Sequence, residues 1–244
     1  MNDITWKKYK KICGKFRKYT ETMAESLPNL KSIQQKFVNS RNESPYKIET
    51  PVVYNSALDE VTVNDEIKLI LIADNPGRRE QMTENKRYLI GPSGKIANKF
   101  FLNNPALGID FLKNVIILNK TPVHTPRTIE LRELCRNKEI EKAMEESQKE
   151  MASLLFEFHV IFDCPVWITG YSEMRKGGVF EAYTEKIKEL YRNKSERIAR
   201  LFIYRHFSMN QFTIDLKQQS LPEETITESL CRIGAAYRKR ILAI

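Results

Sequence analysis

The chain has 244 residues, of which 41% are hydrophobic, so it is long enough to form one sizeable domain with a buried core. Its 40 lysines and arginines outnumber 31 acidic residues and leave a net charge of +9, which favours a polyanionic partner but also fits a cationic surface with no specific partner. The four cysteines form no C-x-x-C pair and no apolar run reaches about 18 residues, so we expect no zinc site, no disulfide framework and no membrane span in an intracellular, cytoplasmic protein.

The N-terminal part of the chain carries a helical pattern. Apolar residues recur every three or four positions between Trp6 and Met23, and lysines and arginines occupy much of the rest. This spacing predicts an amphipathic helix with a basic outer surface, and we expect an N-terminal helical extension at about residues 1–40. Its charges could contact phosphate, although a solvated helix face accounts for them as well. The asparagine, serine and proline punctuation of residues 39–57 predicts a connecting arm.

Four short apolar runs then predict strands at residues 67–73, 114–119, 166–169 and 201–204. Helical patterns lie between or after them, at residues 140–158, 180–198 and 222–241. Strands that alternate with helices favour βαβ units, in which helices cover both faces of a parallel sheet. We therefore expect one domain over residues 1–244, with a three-layer α/β/α fold and a four-stranded, mostly parallel central sheet.

Polar residues follow each predicted strand, at the point where the strand ends. They occupy residues 74–77, 119–124, 170–172 and 205–208. In an open α/β sheet, ligands bind outside the carboxyl ends of the strands. The sequence therefore predicts a site that is assembled at one edge of the sheet from distant parts of the chain.

Common phosphate-binding and hydrolase motifs do not fit the chain. Residues 91–95 suggest a P-loop, but Leu89 stands where the first glycine is required and Ile96 stands where serine or threonine should follow the lysine. There is no G-x-G-x-x-G fingerprint and no G-x-S-x-G elbow after a strand. These absences argue against a nucleoside triphosphatase, a dinucleotide enzyme and a Ser/His/Asp hydrolase.

Four segments, taken in order between residues 67 and 212, resemble the uracil-DNA glycosylase superfamily. Residues 74–77, D-N-P-G, resemble its first motif, which reads G-Q-D-P-Y, G-E-A-P-G or G-M-N-P-G in different branches. The glycine-rich residues 91–95, the strand that ends at Asn119, and residues 206–210, which resemble the closing H-P-S-P-L motif, follow in the family's order. The chain departs from the family at Ala73, Phe207 and Asn210, and it lacks the thiols for an iron–sulfur cluster, so we expect no cofactor and no metal.

The resemblance implies a role for four polar residues. Asn119 would read the edge of uracil, since an amide can donate to O4 and accept from the N3 proton, whereas cytosine presents the opposite polarity. His206 would stabilise the negative charge that grows on O2 when the glycosidic bond breaks. Asp74 and Asn75 would orient the attacking water and stabilise the sugar cation. The structural alternatives are a strand-end asparagine that caps its own loop, a structural histidine and an Asx turn.

Further residues would shape the pocket and contact the nucleic acid. Gly77 replaces the tyrosine with which the main branch of the family blocks thymine, and Tyr88 or Leu89 could stack on the base. Met209 or Phe212 could take the place of the missing wedge leucine. His124 could face the site, although a loop histidine is the simpler interpretation. The remaining expected contacts are Ser93 and Ser208 with the substrate, and Arg78 and Lys95 with DNA.

The resemblance thus implies a monomeric, metal-independent hydrolase that cleaves the N-glycosidic bond of uracil or a related damaged base in DNA. Two alternatives stay open. The altered closing motif favours a non-catalytic nucleic-acid-binding protein of the same fold, and the missing wedge leucine favours an enzyme that acts on a free nucleoside or another small ligand.

Overall fold

Four short strands of apolar residues form the centre of the fold. A computed structural model describes residues 1–41 and 44–244. The strands are β1 (Leu69–Ala73), β2 (Val115–Asn119), β3 (Val166–Thr169) and β4 (Leu201–Tyr204). The helices are α1 (Asp3–Ser26), α2 (Leu30–Asn39), α3 (Pro92–Asn103), α4 (Leu131–Leu134), α5 (Lys138–Phe162), α6 (Glu181–Tyr191), α7 (Ser195–Ala199), α8 (Gln211–Gln219) and α9 (Ile226–Leu242).

The strands form one parallel sheet in the order β2-β1-β3-β4. Every residue of β1 and of β3 is buried. Because successive side chains of a strand point to opposite faces, burial of all of them means that both faces of the sheet are covered. This confirms the predicted three-layer α/β/α fold with a four-stranded parallel sheet. In the edge strand β2, Val115 and Ile117 are only partly buried.

The register of the sheet determines which residues meet at its carboxyl edge. Ala73 at the end of β1 pairs with Asn119 at the end of β2, and Thr169 at the end of β3 pairs with Tyr204 at the end of β4. The Thr169 hydroxyl also donates to the carbonyl oxygen of Ile72, at 2.8 Å, which ties β3 to β1. The residues that follow each strand therefore emerge at one edge, as the sequence predicts.

Helix α1 has the amphipathic character that its sequence predicts. It buries Tyr9 and Phe16 on one side and packs against α5. The Tyr9 hydroxyl donates to the Leu58 carbonyl oxygen at 2.6 Å, and the ring of Phe16 contacts that of Tyr54. Both buried side chains belong to the same hydrophobic cluster as the sheet, so the N-terminal helix packs onto the domain core.

Two predicted helical segments differ from the observed ones for local reasons. Residues 180–198 form α6 and α7 rather than one helix, because Asn193 between them adopts a left-handed conformation with φ 61°. The closing helix starts at Ile226, after the start of the predicted segment, since Thr225 and Glu228 form a capping box there. Of the predicted connecting arm, residues 42–43 lie outside the described residues, and Val52 pairs with Val123 in an isolated antiparallel bridge.

In the part of the chain that the structure describes, no helix is both long and apolar enough to cross a membrane. The four cysteines are free thiols, and Cys13 and Cys164 are buried. Burial raises the pKa of the Cys13 thiol to about 11 and that of Cys164 to about 12, so both stay protonated at neutral pH.

Candidate active site

A cavity of about 740 Å³ opens at the carboxyl edge of the sheet, where the predicted site residues were expected. We call it the cleft. Four segments line it: residues 73–75 and 77–80 at the end of β1 and after it, Leu89 and 91–93 before α3 and in its first turn, 125–128 after β2, and His206 and Ser208 after β4. A cavity of this size falls in the range of small-molecule and cofactor sites, about 300–1,000 Å³.

The cleft brings together most of the residues that the sequence singled out. Asp74, Asn75, Gly77 and Arg78 come from the loop after β1, and the other predicted residues that line the cleft are Leu89, Ser93, His206 and Ser208. Their motifs are widely separated along the chain. The structure therefore places the two candidate hydrolytic side chains and the candidate histidine around one cavity.

Five predicted residues do not line the cleft, and for two of them, Tyr88 and Phe212, burial contradicts the predicted contact. Tyr88 is 2% exposed and its hydroxyl donates to the Val53 carbonyl oxygen at 2.5 Å, so its ring packs in the core and cannot stack on a ligand in the cleft. Phe212 is equally buried, with its ring stacked on Phe207 at 4.3 Å between centroids, so it cannot act as a wedge. Lys95 is exposed on α3 but lies outside the cleft lining.

Met209, the other wedge candidate, has the opposite placement. Its side chain is 81% exposed, and its backbone has a left-handed conformation with φ 53°. Asn210 follows with φ 58°, so two consecutive residues hold this turn in a conformation that costs energy for side chains other than glycine. The turn presents a large apolar side chain to solvent directly beside the cleft residue Ser208.

Asn119 lies at the carboxyl end of β2 but not in the cleft lining. Its side chain is 1% exposed, and neither Oδ1 nor Nδ2 has a hydrogen-bond partner among the described residues. Leaving a buried polar group unpaired costs about 1–3 kcal/mol. Ala73, its partner in the sheet register, does line the cleft. An unsatisfied amide thus lies one strand away from the cavity.

Asp74 and Asn75 are held by the loop after β2. The Thr128 hydroxyl lies 3.2 Å from Asp74 Oδ2 and 3.1 Å from Asn75 Oδ1, and its single hydrogen can serve only one of them at a time. Asn75 Nδ2 donates to the carbonyl oxygen and the hydroxyl of Thr125, at 3.1 and 2.9 Å. These contacts fix both side chains, which is what orientation of a water molecule requires.

Lys120 is the residue that the sequence analysis missed. It follows the last residue of β2, it is fully buried, and its Nζ lies 2.5 Å from Asp74 Oδ1. Sequence provides only a weak signal for this pair: a lysine directly follows one predicted strand, and an acidic residue directly follows another. Lysines are almost never fully buried unless paired, so the burial itself marks the position.

His206 presents a neutral ring with one nitrogen already engaged. Nδ1 accepts a hydrogen bond from the Ser208 backbone N–H at 3.0 Å, so the neutral ring carries its proton on Nε2. Burial lowers the pKa of His206; the nearby Asp74 carboxylate opposes that shift and the Lys120 ammonium adds to it. The imidazole is therefore uncharged at neutral pH and has Nε2–H as its remaining donor.

His124 shows the contrasting arrangement, as its interpretation as a loop histidine predicted. It is fully buried, with Nδ1 2.7 Å from the Pro76 carbonyl oxygen and Nε2 2.9 Å from the Tyr46 hydroxyl. Burial lowers its pKa to about 4. Both ring nitrogens are occupied, so the side chain holds the loop after β1 in place and has no donor left for a ligand.

Glu80 is a buried carboxyl group in the wall of the cleft. Burial raises its pKa to about 7, against the opposing effect of backbone N–H groups in the loop before α3 and at Gly77. Gly77 N–H donates to Oε2 at 3.3 Å. Helix α3 has no side-chain cap of its own at Gly91, so Glu80 places a carboxyl group near an uncapped helix N-terminus.

Three arginines give the cleft a cationic lining. Arg78, Arg79 and Arg127 all border it, and the guanidinium group of Arg78 lies over the Tyr46 ring at 4.6 Å from the centroid. Guanidinium groups bind phosphates through paired hydrogen bonds. Among the described residues, no group of three or more histidine, cysteine or acidic side chains is arranged to hold a metal ion. The cleft is therefore suited to an anionic ligand.

Comparisons with known proteins identify no relative of this chain. No family model matches the chain, and no curated protein or solved structure matches it.

Proposed function

We propose that the chain is a hydrolase that cleaves the N-glycosidic bond of uracil or a related base in DNA, as its resemblance to the uracil-DNA glycosylase superfamily implies. One observation carries the proposal. Asp74 and Asn75 from the first motif line the same cleft as His206 from the closing motif. An acid and an amide that can orient water, together with a neutral donor, are the groups that such a reaction requires.

His206 would act on the leaving base. Since Nδ1 is occupied by the Ser208 backbone, Nε2–H is the donor that can meet the negative charge growing on the uracil oxygen O2. A donor in place before the reaction lowers the barrier because it need not reorganise when charge develops. Loss of a comparable donor costs about 10²–10³ in turnover in well-studied hydrolases.

Asp74 and Asn75 would act on the opposite side of the glycosidic bond. Asp74 keeps 17% of its side chain exposed, and its Oδ2 faces the Thr128 hydroxyl. A carboxylate can accept a hydrogen bond from the attacking water and favours a sugar that becomes cationic. Asn75 Oδ1 is the second acceptor at the same place.

Base recognition would fall to Asn119, whose unpaired amide is the group that a uracil edge could satisfy. Because the amide is buried and lies outside the cleft lining, the base must displace neighbouring side chains to reach it. The flipped-out nucleotide that such enzymes use would be anchored through its phosphates, for which the three arginines of the cleft and the net charge of +9 are suited.

The test is release of uracil from oligonucleotides. Purified protein is incubated with single- and double-stranded oligonucleotides that contain one uracil, with a chelator present, and abasic sites are detected by alkaline cleavage. We expect cleavage at the uracil and none in a matched thymine or cytosine oligonucleotide. Folded protein that cleaves neither substrate would rule the proposal out, and salt-dependent DNA binding without base release would identify a non-catalytic DNA-binding protein.

A second candidate is hydrolysis of a free nucleoside or nucleotide. Of the two predicted wedge residues, Phe212 is buried and Met209 is exposed, and the loss of one wedge candidate favours this function. An enzyme that takes a free substrate needs no wedge, because no base stack has to be opened. Release of base from nucleosides and nucleotides but not from DNA would select this candidate.

A further inference from the structure

Lys120 is bound on every side by the chain itself. Its backbone N–H lies 3.0 Å from the carbonyl oxygens of both Ala73 and Asp74. Its Nζ contacts Asp74 Oδ1 and the Thr169 carbonyl oxygen, each at 2.5 Å, and lies 5.0 Å from the centroid of the Phe180 ring. The ammonium group therefore connects the carboxyl ends of β2 and β3 to the loop after β1.

Stability alone does not explain such a buried ion pair. Removing an ammonium from water costs several kcal/mol, and replacement of a buried pair by apolar side chains is often neutral or stabilising. Burial lowers the pKa of Lys120 and the Asp74 carboxylate opposes that shift, so the two charges depend on each other. A structural core would be built more simply without them.

The neighbourhood of the pair is shaped to keep the carboxylate in one position. Gly170 has φ 79°, and a Cβ atom at this position would lie 2.4 Å from Asp74 Oδ1. Any other residue would push the carboxylate away from Lys120. Thr128 contacts the other carboxylate oxygen from the cleft side. Asp74 is thus clamped between a buried cation and a hydroxyl group that lines the cleft.

The charges of this pair act on His206 with opposite signs. The Asp74 carboxylate favours the imidazolium form, whereas the Lys120 ammonium disfavours it. The other charged side chains that line the cleft are Arg78, Arg79, Glu80 and Arg127. Without Lys120, the Asp74 carboxylate would act on the ring with no opposing charge from its partner.

We propose that Lys120 is a positioning residue of the cleft: its buried ammonium clamps the Asp74 carboxylate and offsets part of the charge of that carboxylate as it acts on His206. Together with burial of the ring, Lys120 thus keeps His206 a neutral donor to the ligand. An imidazolium would instead be paired with the Asp74 carboxylate before the reaction starts. That pairing would stabilise the ground state and would not lower the barrier. The part that Lys120 plays in turnover rests on the proposed function; its effect on His206 does not.

Titration of the histidine rings by NMR tests the proposal without a substrate. The chain has three histidines, so their ring signals are few and can be followed separately. We expect Lys120→Met to raise the pKa of His206 by about one unit, since a nearby carboxylate is then uncompensated. Asp74→Asn removes that carboxylate and should not raise the pKa of His206, and the double variant should lie below Lys120→Met.

Two internal controls are present in the same spectra. Burial lowers the pKa of His124 and of His159 to about 4, and neither Asp74 nor Lys120 is among the groups that shift them, so their titrations should not move. Because the pKa of Glu80 is raised to about 7 by burial, the titrations are repeated in a Glu80→Gln background, which removes a group that titrates in the same range.

An unchanged His206 titration in Lys120→Met would overturn the proposal. If Lys120→Met does not fold, Lys120→Gln takes its place, because its amide can still donate to the Thr169 carbonyl oxygen without carrying a charge. Base release is measured on the same samples. Unaltered protein that releases no base would rule out the proposed function, and the ring titrations would still decide whether Lys120 sets the charge of His206.

Discussion

Two buried asparagines, one packed beside strand β2 and one at its end, show how the scaffold differs from the cleft. Asn55 packs beside the middle of the strand, where its amide donates to the Ile117 carbonyl oxygen and its Oδ1 accepts from the backbone N–H groups of Ala57 and Tyr88. Asn119 ends the strand and has no partner among the described residues. Both are 1% exposed. Burial is thus the same, and only the satisfaction of the polar atoms separates them.

The histidines repeat this difference. His124 has both ring nitrogens occupied, whereas His206 has Nδ1 occupied by its own loop and retains Nε2–H. In native folds, buried polar groups are nearly always paired, because an unpaired one costs about 1–3 kcal/mol. Polar groups that the fold itself satisfies are structural, and those it leaves unsatisfied beside a cavity are the ones available to a ligand.

The largest expected effect is on turnover. His206→Ala should lower the rate of base release by about 10²-fold or more, because it removes the proposed donor to the leaving base. It should cost no more than about 1 kcal/mol of unfolding free energy, since one hydrogen bond to the Ser208 backbone is lost. Rates under single-turnover conditions and urea unfolding measure the two effects, and a fully active variant would assign His206 to the scaffold.

The two asparagines should differ in stability. Asn55→Ala should lower the free energy of unfolding by about 2 kcal/mol, because it leaves a carbonyl oxygen and two backbone N–H groups without partners. Asn119→Ala, its matched control, loses no hydrogen bond to a described residue and removes two unpaired buried atoms, so it should destabilise the fold less than Asn55→Ala while abolishing discrimination between bases. Equal destabilisation of both variants would remove the distinction drawn between these residues.

Glu80 should make stability depend on pH. Burial raises its pKa to about 7, so the folded state binds this proton more tightly than the unfolded chain does. Its contribution to stability is complete below about pH 4.5 and is lost as pH rises towards 7, with a slope of about 1.4 kcal/mol per pH unit. Urea unfolding of the unaltered protein and of Glu80→Gln at several pH values should show this loss as a difference between the two proteins, because the three histidines, whose pKa values burial lowers, contribute equally to both.

Glu224 provides a control of opposite sign for that measurement. Hydrogen bonds from Arg232 and Ser229 lower its pKa to about 2, so any stability that it contributes is lost as pH falls rather than as it rises. Between pH 5 and 7, the Glu224→Gln/Glu80→Gln double variant should therefore differ from Glu224→Gln as Glu80→Gln differs from the unaltered protein. The absence of a difference in either pair would assign the pH dependence to other groups.

The smallest expected effect on stability belongs to Met209. Its side chain is 81% exposed, so Met209→Ala should change the unfolding free energy by less than about 0.5 kcal/mol. If the side chain separates base steps, the variant should release uracil several-fold more slowly from duplex than from single-stranded DNA. Equal rates on both substrates would show that the exposed methionine has no part in opening a duplex.

Local sequence patterns account for much of the architecture. The runs that form β3 and β4 were predicted with their observed ends, and β1 and β2 start within two residues of the prediction. A run of apolar residues followed directly by polar ones can be recognised from the local sequence. Parallel strands then bring those polar residues to one edge of the sheet. The meeting of Asp74, Asn75 and His206 followed from that rule alone.

Tertiary structure decided where individual side chains point. Tyr88 and Leu89 are neighbours in sequence, yet Tyr88 bonds to Val53 in the core, whereas Leu89, with φ 52°, lines the cleft. Lys120 is buried because Asp74 and Thr169, far away in the chain, supply its partners. Such orientations depend on which distant groups satisfy a polar atom or cover a ring. Periodicity and motif spacing carry no information about those groups, because they describe neighbours along the chain and not across the sheet.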